Sequence, residues 1–144
     1  MRRPLVLAAV GVAATGLLAA CDKPVPKLTI QSGAVSTQVT PTKYEFDASH
    51  LRTLPPDIPE ITAKPNGTVL IDVPRAVAGR GWTVTSLSLD GLKSIGTETV
   101  KSHHSFRVAA NVNNLNPFLV SIHQLRDGKP DNSVWSFLVK VSQS

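Results

Sequence analysis

The chain of 144 residues holds one cysteine, one methionine and seven aromatic residues, and only 17% of it is charged. A lone cysteine excludes an internal disulfide, a cysteine-based zinc finger and a CxxC redox centre. The low and evenly spread charge excludes a disordered acidic or basic tail, and the length suits one modest hydrophobic core. Catalytic signatures are also missing. No GxSxG or SxxK motif places a serine on a strained turn beside a base. Gly79-Arg80-Gly81 has neither the spacing nor the following helix of a phosphate loop. The ten acids are spread thinly, several in turn signals such as Asp127-Gly128 and Asp131-Asn132. Adjacent His103 and His104 would point to opposite sides of any strand, so they read as a polar turn. His123 has the opposite parity to Ile122 and reads as solvent-facing, and with His50 the four histidines offer no three convergent ligands for a metal. No catalytic residue, metal ligand set or cofactor is therefore expected.

What is present begins with the first 21 residues. Arg2 and Arg3 are followed by an apolar run from Leu5 to Ala14, and Leu17-Leu18-Ala19-Ala20 precedes Cys21. Sixteen residues interrupted by Gly11, Thr15 and Gly16 are short for a bilayer, which takes roughly 20 residues of helix. The segment is expected to be a helical, cleaved signal peptide over residues 1–20.

Leu18-Ala19-Ala20-Cys21 resembles the lipobox of a bacterial lipoprotein signal: an aliphatic residue, two small residues and a cysteine. The resemblance implies a diacylglycerol thioether on Cys21, cleavage before it, and acylation, typically by palmitate, of the new amino terminus. Several acyl chains hold firmly, because one chain alone binds marginally and each buried methylene adds about 0.8 kcal/mol. Arg2-Arg3 also resembles a reduced twin-arginine signal, although general secretion needs no more than a basic start. Loss of residues 1–20 leaves 13 basic against 10 acidic residues, a net charge near +3. The basic residues form no run and interleave with no aromatics, so no nucleic-acid partner is expected.

Residues 21–27 are proline-rich and predict an extended tether. From residue 28 to 144, turn signals recur between segments rich in Val, Ile, Thr, Phe and Trp. Leu28 to Ser32 and Val35 to Val39 flank Ser32-Gly33, and Lys43 to Asp47 alternates polar with aromatic. Ala48 to Pro59 reads as one long loop, whose apolar Leu51, Leu54 and Ile58, with Ile61 after it, either staple it to the core or form a binding patch. Pro65-Asn66-Gly67 is a turn, after which Val69, Ile71 and Val73 share a face. Arg75 to Ala78 has room for one helical turn. From Trp82 the apolar parity changes at Leu87 and Leu89, which requires a bulge near Thr85-Ser86 or burial on both faces. Asp90-Gly91 turns into a weak edge segment through Val100. Phe106 to Val112, Phe118 to Ile122 and Trp135 to Val141 alternate cleanly, separated by turns over Asn113 to Pro117 and Arg126 to Asn132. Trp82 and Trp135 are expected in the core. About seven strands predict an all-β, immunoglobulin-like two-sheet sandwich, with an open barrel as the alternative.

Gly67-Thr68-Val69-Leu70-Ile71-Asp72-Val73-Pro74, Ala76-Val77-Ala78, Gly81-Trp82-Thr83-Val84 and Val134-Trp135-Ser136-Phe137 together resemble an actinobacterial lipoprotein family, domain of unknown function 2771. The resemblance covers most of the mature chain and implies no activity. Cysteines that relatives carry around the segment reading Lys43 to Pro56 have no counterpart here.

These readings predict a non-catalytic module on the extracytoplasmic face of the cell membrane, held by acyl chains on Cys21 and serving an envelope protein partner. The alternative is a carrier or sensor of a small apolar or glycolipid ligand, bound between the sheets beside Trp82 or under the long loop.

Overall fold

The computed structural model describes residues 26–41, 57–90, 92–110 and 115–142. Nine strands and one short helix lie within them: β1 (Leu28–Ser32), β2 (Val35–Val39), β3 (Glu60–Ala63), β4 (Thr68–Asp72), α1 (Arg75–Ala78), β5 (Trp82–Ser88), β6 (Ser94–Val100), β7 (Ser105–Ala109), β8 (Phe118–Arg126) and β9 (Lys129–Val141). They form two sheets, of order β2-β1-β4-β7 and β3-β9-β8-β5-β6. The arrangement is an all-β two-sheet sandwich. Five of the eight steps between consecutive strands change sheet, the other three join neighbours in one sheet, and the smaller sheet, with the antiparallel β1–β4 pair at its centre, packs against the β9-β8-β5 ladder. Nine strands replace the expected seven. The strand expected over Lys43 to Asp47, most of the loop expected from Ala48 to Pro59, and Val112 lie outside the described residues.

Alternation builds each sheet. In β1 and β4, Leu28, Ile30, Val69 and Ile71 are buried while their sequence neighbours are partly or fully exposed. Pairing aligns Ile30 with Ile71 and Ile71 with Phe106, so one row of side chains crosses the smaller sheet. In the larger sheet, Trp135 pairs with Ile122 and Ile122 with Val84, and Phe137 pairs with Val120, all facing the same core. Trp82, Trp135, Phe118 and Phe137 are the largest fully buried side chains. Each contributes on the order of 1.5–3 kcal/mol or more by leaving water.

Two expected features take a different form. The irregularity near Thr85-Ser86 belongs to β6: Ser86 pairs with Gly96 and Leu87 with Ser94, leaving Ile95 as the extra residue. Strand β5 keeps unbroken register with β8, Ser86 opposite Val120 and Leu87 opposite Leu119. Leu87 therefore points away from the core and is nevertheless buried, as is Leu119 beside it. Burial on both faces, rather than a bulge in β5, explains its parity change. The turn expected over Arg126 to Asn132 is only Asp127-Gly128, both with positive φ, and β9 begins at Lys129. Between His123 and Leu125 the β8–β9 register shifts, so Asp131 and Asn132 lie in a bulge instead of a turn. The Asn132 N–H donates to Asp131 Oδ1 at 2.7 Å, which satisfies a donor the ladder has released.

Ile61 also departs from its loop reading. It is a buried core residue of β3, which pairs in parallel with β9 through Ile61 and Val139. Four residues bounded by Pro59 and Pro65 are too few for periodicity to reveal a strand, and the parallel partner is far along the chain.

Candidate functional site

The strand directions gather one set of connections at a single pole of the sandwich. β4 ends there at Asp72, β7 starts opposite it at Ser105, β5 starts at Trp82, and the β8–β9 hairpin turns there at Asp127-Gly128. The chain also enters at this pole. Pro26 and Lys27 lead into Leu28, and the Trp135 indole Nε1–H donates to the Pro26 carbonyl at 3.0 Å. A fully buried core side chain thus fixes the point from which the preceding residues depart.

The second tryptophan organises the same pole. Trp82 Nε1–H donates to the His103 carbonyl at 3.0 Å, and its ring meets Phe106 edge-on, with centroids 6.4 Å apart and planes at 87°. The Val73 N–H donates to the His104 carbonyl at 2.8 Å. His103 and His104 therefore form the expected polar turn, between β6 and β7, with their backbone used as acceptors and both residues exposed. Helix α1 is tied down by Gln124, a buried polar residue whose Nε2 donates to the Ala76 carbonyl at 3.2 Å. Gly81, at φ +82°, gives its carbonyl to the Leu125 N–H. At the opposite pole, the Asn116 side chain clamps the end of β9, donating from Nδ2 to the Val141 carbonyl and accepting from the Val141 N–H, both at 2.9 Å.

One constellation escaped the sequence. On the outer face of the larger sheet, Ser121 Oγ lies 3.4 Å from His123 Nε2 and 3.4 Å from Ser136 Oγ. The i, i+2 spacing of Ser121 and His123 was visible, but Ser136 joins them only through the β8–β9 register. His123 is half-buried rather than solvent-facing. Burial pushes its imidazole below the ordinary value near 6.5, opposed in part by a hydrogen bond with the Asp131 backbone. Both separations are long for hydrogen bonds. Ser121 is 1% exposed and sits mid-strand, so no carbonyl carbon can approach it. The carboxylate of Asp131, whose backbone bonds His123, is engaged by Arg126 at 3.1 Å and by the Asn132 N–H. The arrangement satisfies polar atoms on a sheet face and lacks the access, orienting acid and oxyanion donors that acyl transfer requires.

Two clefts are lined by described residues. One, of about 450 Å³, lies at the pole where Pro26 and Lys27 lead into β1, between Arg80, Leu125, Arg126 and Asp127. The other, of about 200 Å³, opens between the β6 and β7 edges and is floored by Val84, Phe106 and Val108. Trp82 lines neither. No group of three or more His, Cys, Asp or Glu able to hold a metal occurs among the described residues. Of the residues singled out from the sequence, Leu18, Ala19, Ala20, Cys21, Leu51 and Leu54 lie outside the described set, and Ile58 is half-buried just before β3. No protein-family model matches the chain, and no curated protein matches it either.

Proposed function

We propose that this chain is a lipid-anchored, extracytoplasmic lipoprotein, acylated on Cys21, whose sandwich acts as a non-catalytic binding or accessory module of the cell envelope. The observation that carries the reading is the sequence Leu18-Ala19-Ala20-Cys21, where the only cysteine of the chain ends an apolar run and opens onto Asp22-Lys23-Pro24. Its chemistry is that of a thiol alkylated by diacylglycerol before cleavage. The path into the sandwich supports it: five residues after Cys21, the Pro26 carbonyl is bonded to a core tryptophan, so a short tether would hold the domain close to the bilayer. The resemblance to the lipoprotein family of unknown function supports the same placement.

The test is intact and peptide mass analysis of the protein recovered from its own membranes, beside a Cys21→Ala variant. The expected wild-type product begins at residue 21 and carries the mass of a diacylglyceryl group with an added acyl chain. The variant is expected to retain residues 1–20 and to lack that mass. A wild-type amino terminus at another residue, or one without acyl mass, refutes the anchor. Crosslinking in cells then identifies the envelope partner, and an activity assigned to the purified chain would refute the non-catalytic reading.

A further inference from the structure

Cations that are scattered along the sequence converge in space at the pole where the tether leaves. Lys27 is the residue before β1, and Arg75 and Arg80 flank the exposed side of α1. Lys101 follows Val100, the partner of Trp82, and Arg126 pairs with Lys129 across the hairpin. All six are exposed. Arg80 and Arg126 share the walls of one cleft. Three carboxylates oppose them: Asp72, Asp127 and Asp131, the last already bonded to Arg126. The other four cations of the described residues are offset by four carboxylates elsewhere on the domain. The net positive charge of the described domain thus resides at one pole, while the rest of it is neutral.

We propose that this pole is a docking surface for anionic lipid headgroups, seating the sandwich on the membrane from which its tether rises. The proposal rests on the lipid-anchored reading above. It adds that the domain is oriented by its charge as well as held by its acyl chains. A polybasic surface attracts an anionic bilayer through the summed potential, and the attraction decays within a Debye length. The tether keeps the pole within that distance, since the chain enters the fold between the same cations. A nucleic acid would meet the same charge, but among the described residues no exposed aromatic lies at the pole to stack on bases, and Trp82 is fully buried.

The lysines provide the readout. Lys27, Lys101 and Lys129 lie at the pole, whereas Lys64, Lys93 and Lys140 lie elsewhere and serve as internal controls. The full acylated protein is reconstituted into vesicles of phosphatidylcholine alone or with about 30 mol% phosphatidylglycerol, and amine acylation of each lysine is followed by mass spectrometry. On the anionic vesicles, Lys27, Lys101 and Lys129 are expected to react about threefold or more slowly than on neutral ones, and about 0.5 M salt should restore their rates. The three control lysines should not change. An Arg75→Gln/Arg80→Gln double variant should weaken protection of Lys101 and Lys129 while the protein stays on the vesicles.

Equal rates on both vesicles, or equal protection of all six lysines, overturns the proposal while leaving the anchor intact. The same digests report acyl mass on the peptide that begins at Cys21. Its absence would refute the anchor separately, and protection of the pole by added vesicles would still be measurable. Protection by an oligonucleotide but not by anionic vesicles would transfer the surface to nucleic acid and overturn the lipid assignment.

Discussion

Replacing Trp82 with Phe tests whether the pole at which Lys27 leads into β1 is organised by a core side chain. Trp82 is fully buried, and the smaller ring leaves about 40 Å³ unfilled, which at roughly 24 cal/mol per Å³ costs about 1 kcal/mol. The bond to the His103 carbonyl is lost. Because that turn is exposed, water can rehydrate the carbonyl, so this part stays near the net value of a neutral hydrogen bond, about 1 kcal/mol. The edge-on contact with Phe106 weakens as the ring shortens, adding on the order of 0.5 kcal/mol. The expected loss is therefore about 2–3 kcal/mol. Urea unfolding measures it, and Trp135, then the only tryptophan, reports the transition. The slope should be unchanged and the midpoint lower by roughly 1–3 M for a slope of about 1–2 kcal/mol per M. A loss below about 0.7 kcal/mol would refute the reasoning, since neither the cavity nor the hydrogen bond could then be as described.

The pH dependence of stability should contain a contribution from His123. Burial disfavours its protonated form, so the unfolded chain binds the proton more readily, and stability falls as pH drops from about 6.5 through the lower folded value. His123→Gln should flatten that interval when midpoints at pH 7.5 and pH 5 are compared, and equal losses in both proteins would refute the assignment. Glycines 81 and 96 should differ in sign. Gly81 has φ +82°, and an added Cβ would lie 3.4 Å from Leu125 Cδ1 and from the Val100 carbonyl, so Gly81→Ala should cost about 1–2 kcal/mol. Gly96 lies in an edge strand with open space around it, and Gly96→Ala should be neutral or stabilising by up to about 1 kcal/mol in the same denaturation assay.

The parts of the fold that the sequence made legible are those whose information is local. The β1–β2 hairpin around Ser32-Gly33, the alternation of Val69 and Ile71, the single turn at Arg75 to Ala78 and the core tryptophans each follow from period-two burial or a turn residue, and the structure reproduces them. What failed depends on partners distant in the chain. Ile61 belongs to a strand because β9, more than seventy residues later, runs parallel beside it. Asp131-Asn132 has turn chemistry, but a longer hairpin register claims those residues for β9 and leaves their polar side chains to repair a bulge. Leu87 and Leu119 break the inside-outside rule because central strands of the larger sheet are buried on both faces, which period-two reasoning can only offer as an alternative.

The same distinction separates the two kinds of functional signal. Leu18-Ala19-Ala20-Cys21 is contiguous, so its resemblance to a lipobox can be seen without a fold. The positive pole is carried by Lys27, Arg75, Arg80, Lys101, Arg126 and Lys129, spread over a hundred residues and never adjacent. Along the chain they look like ordinary solvated charge. Strand direction makes them a surface: each lies at or near a strand end at one pole, while the charges elsewhere among the described residues cancel. Since the chain enters at that pole, the proposed lipid anchor and the charged surface would reinforce each other only in this topology. A circular permutant opening at Lys64 to Gly67 would place the tether at the opposite pole, and the lysine protection pattern should then dissolve even with acylation intact.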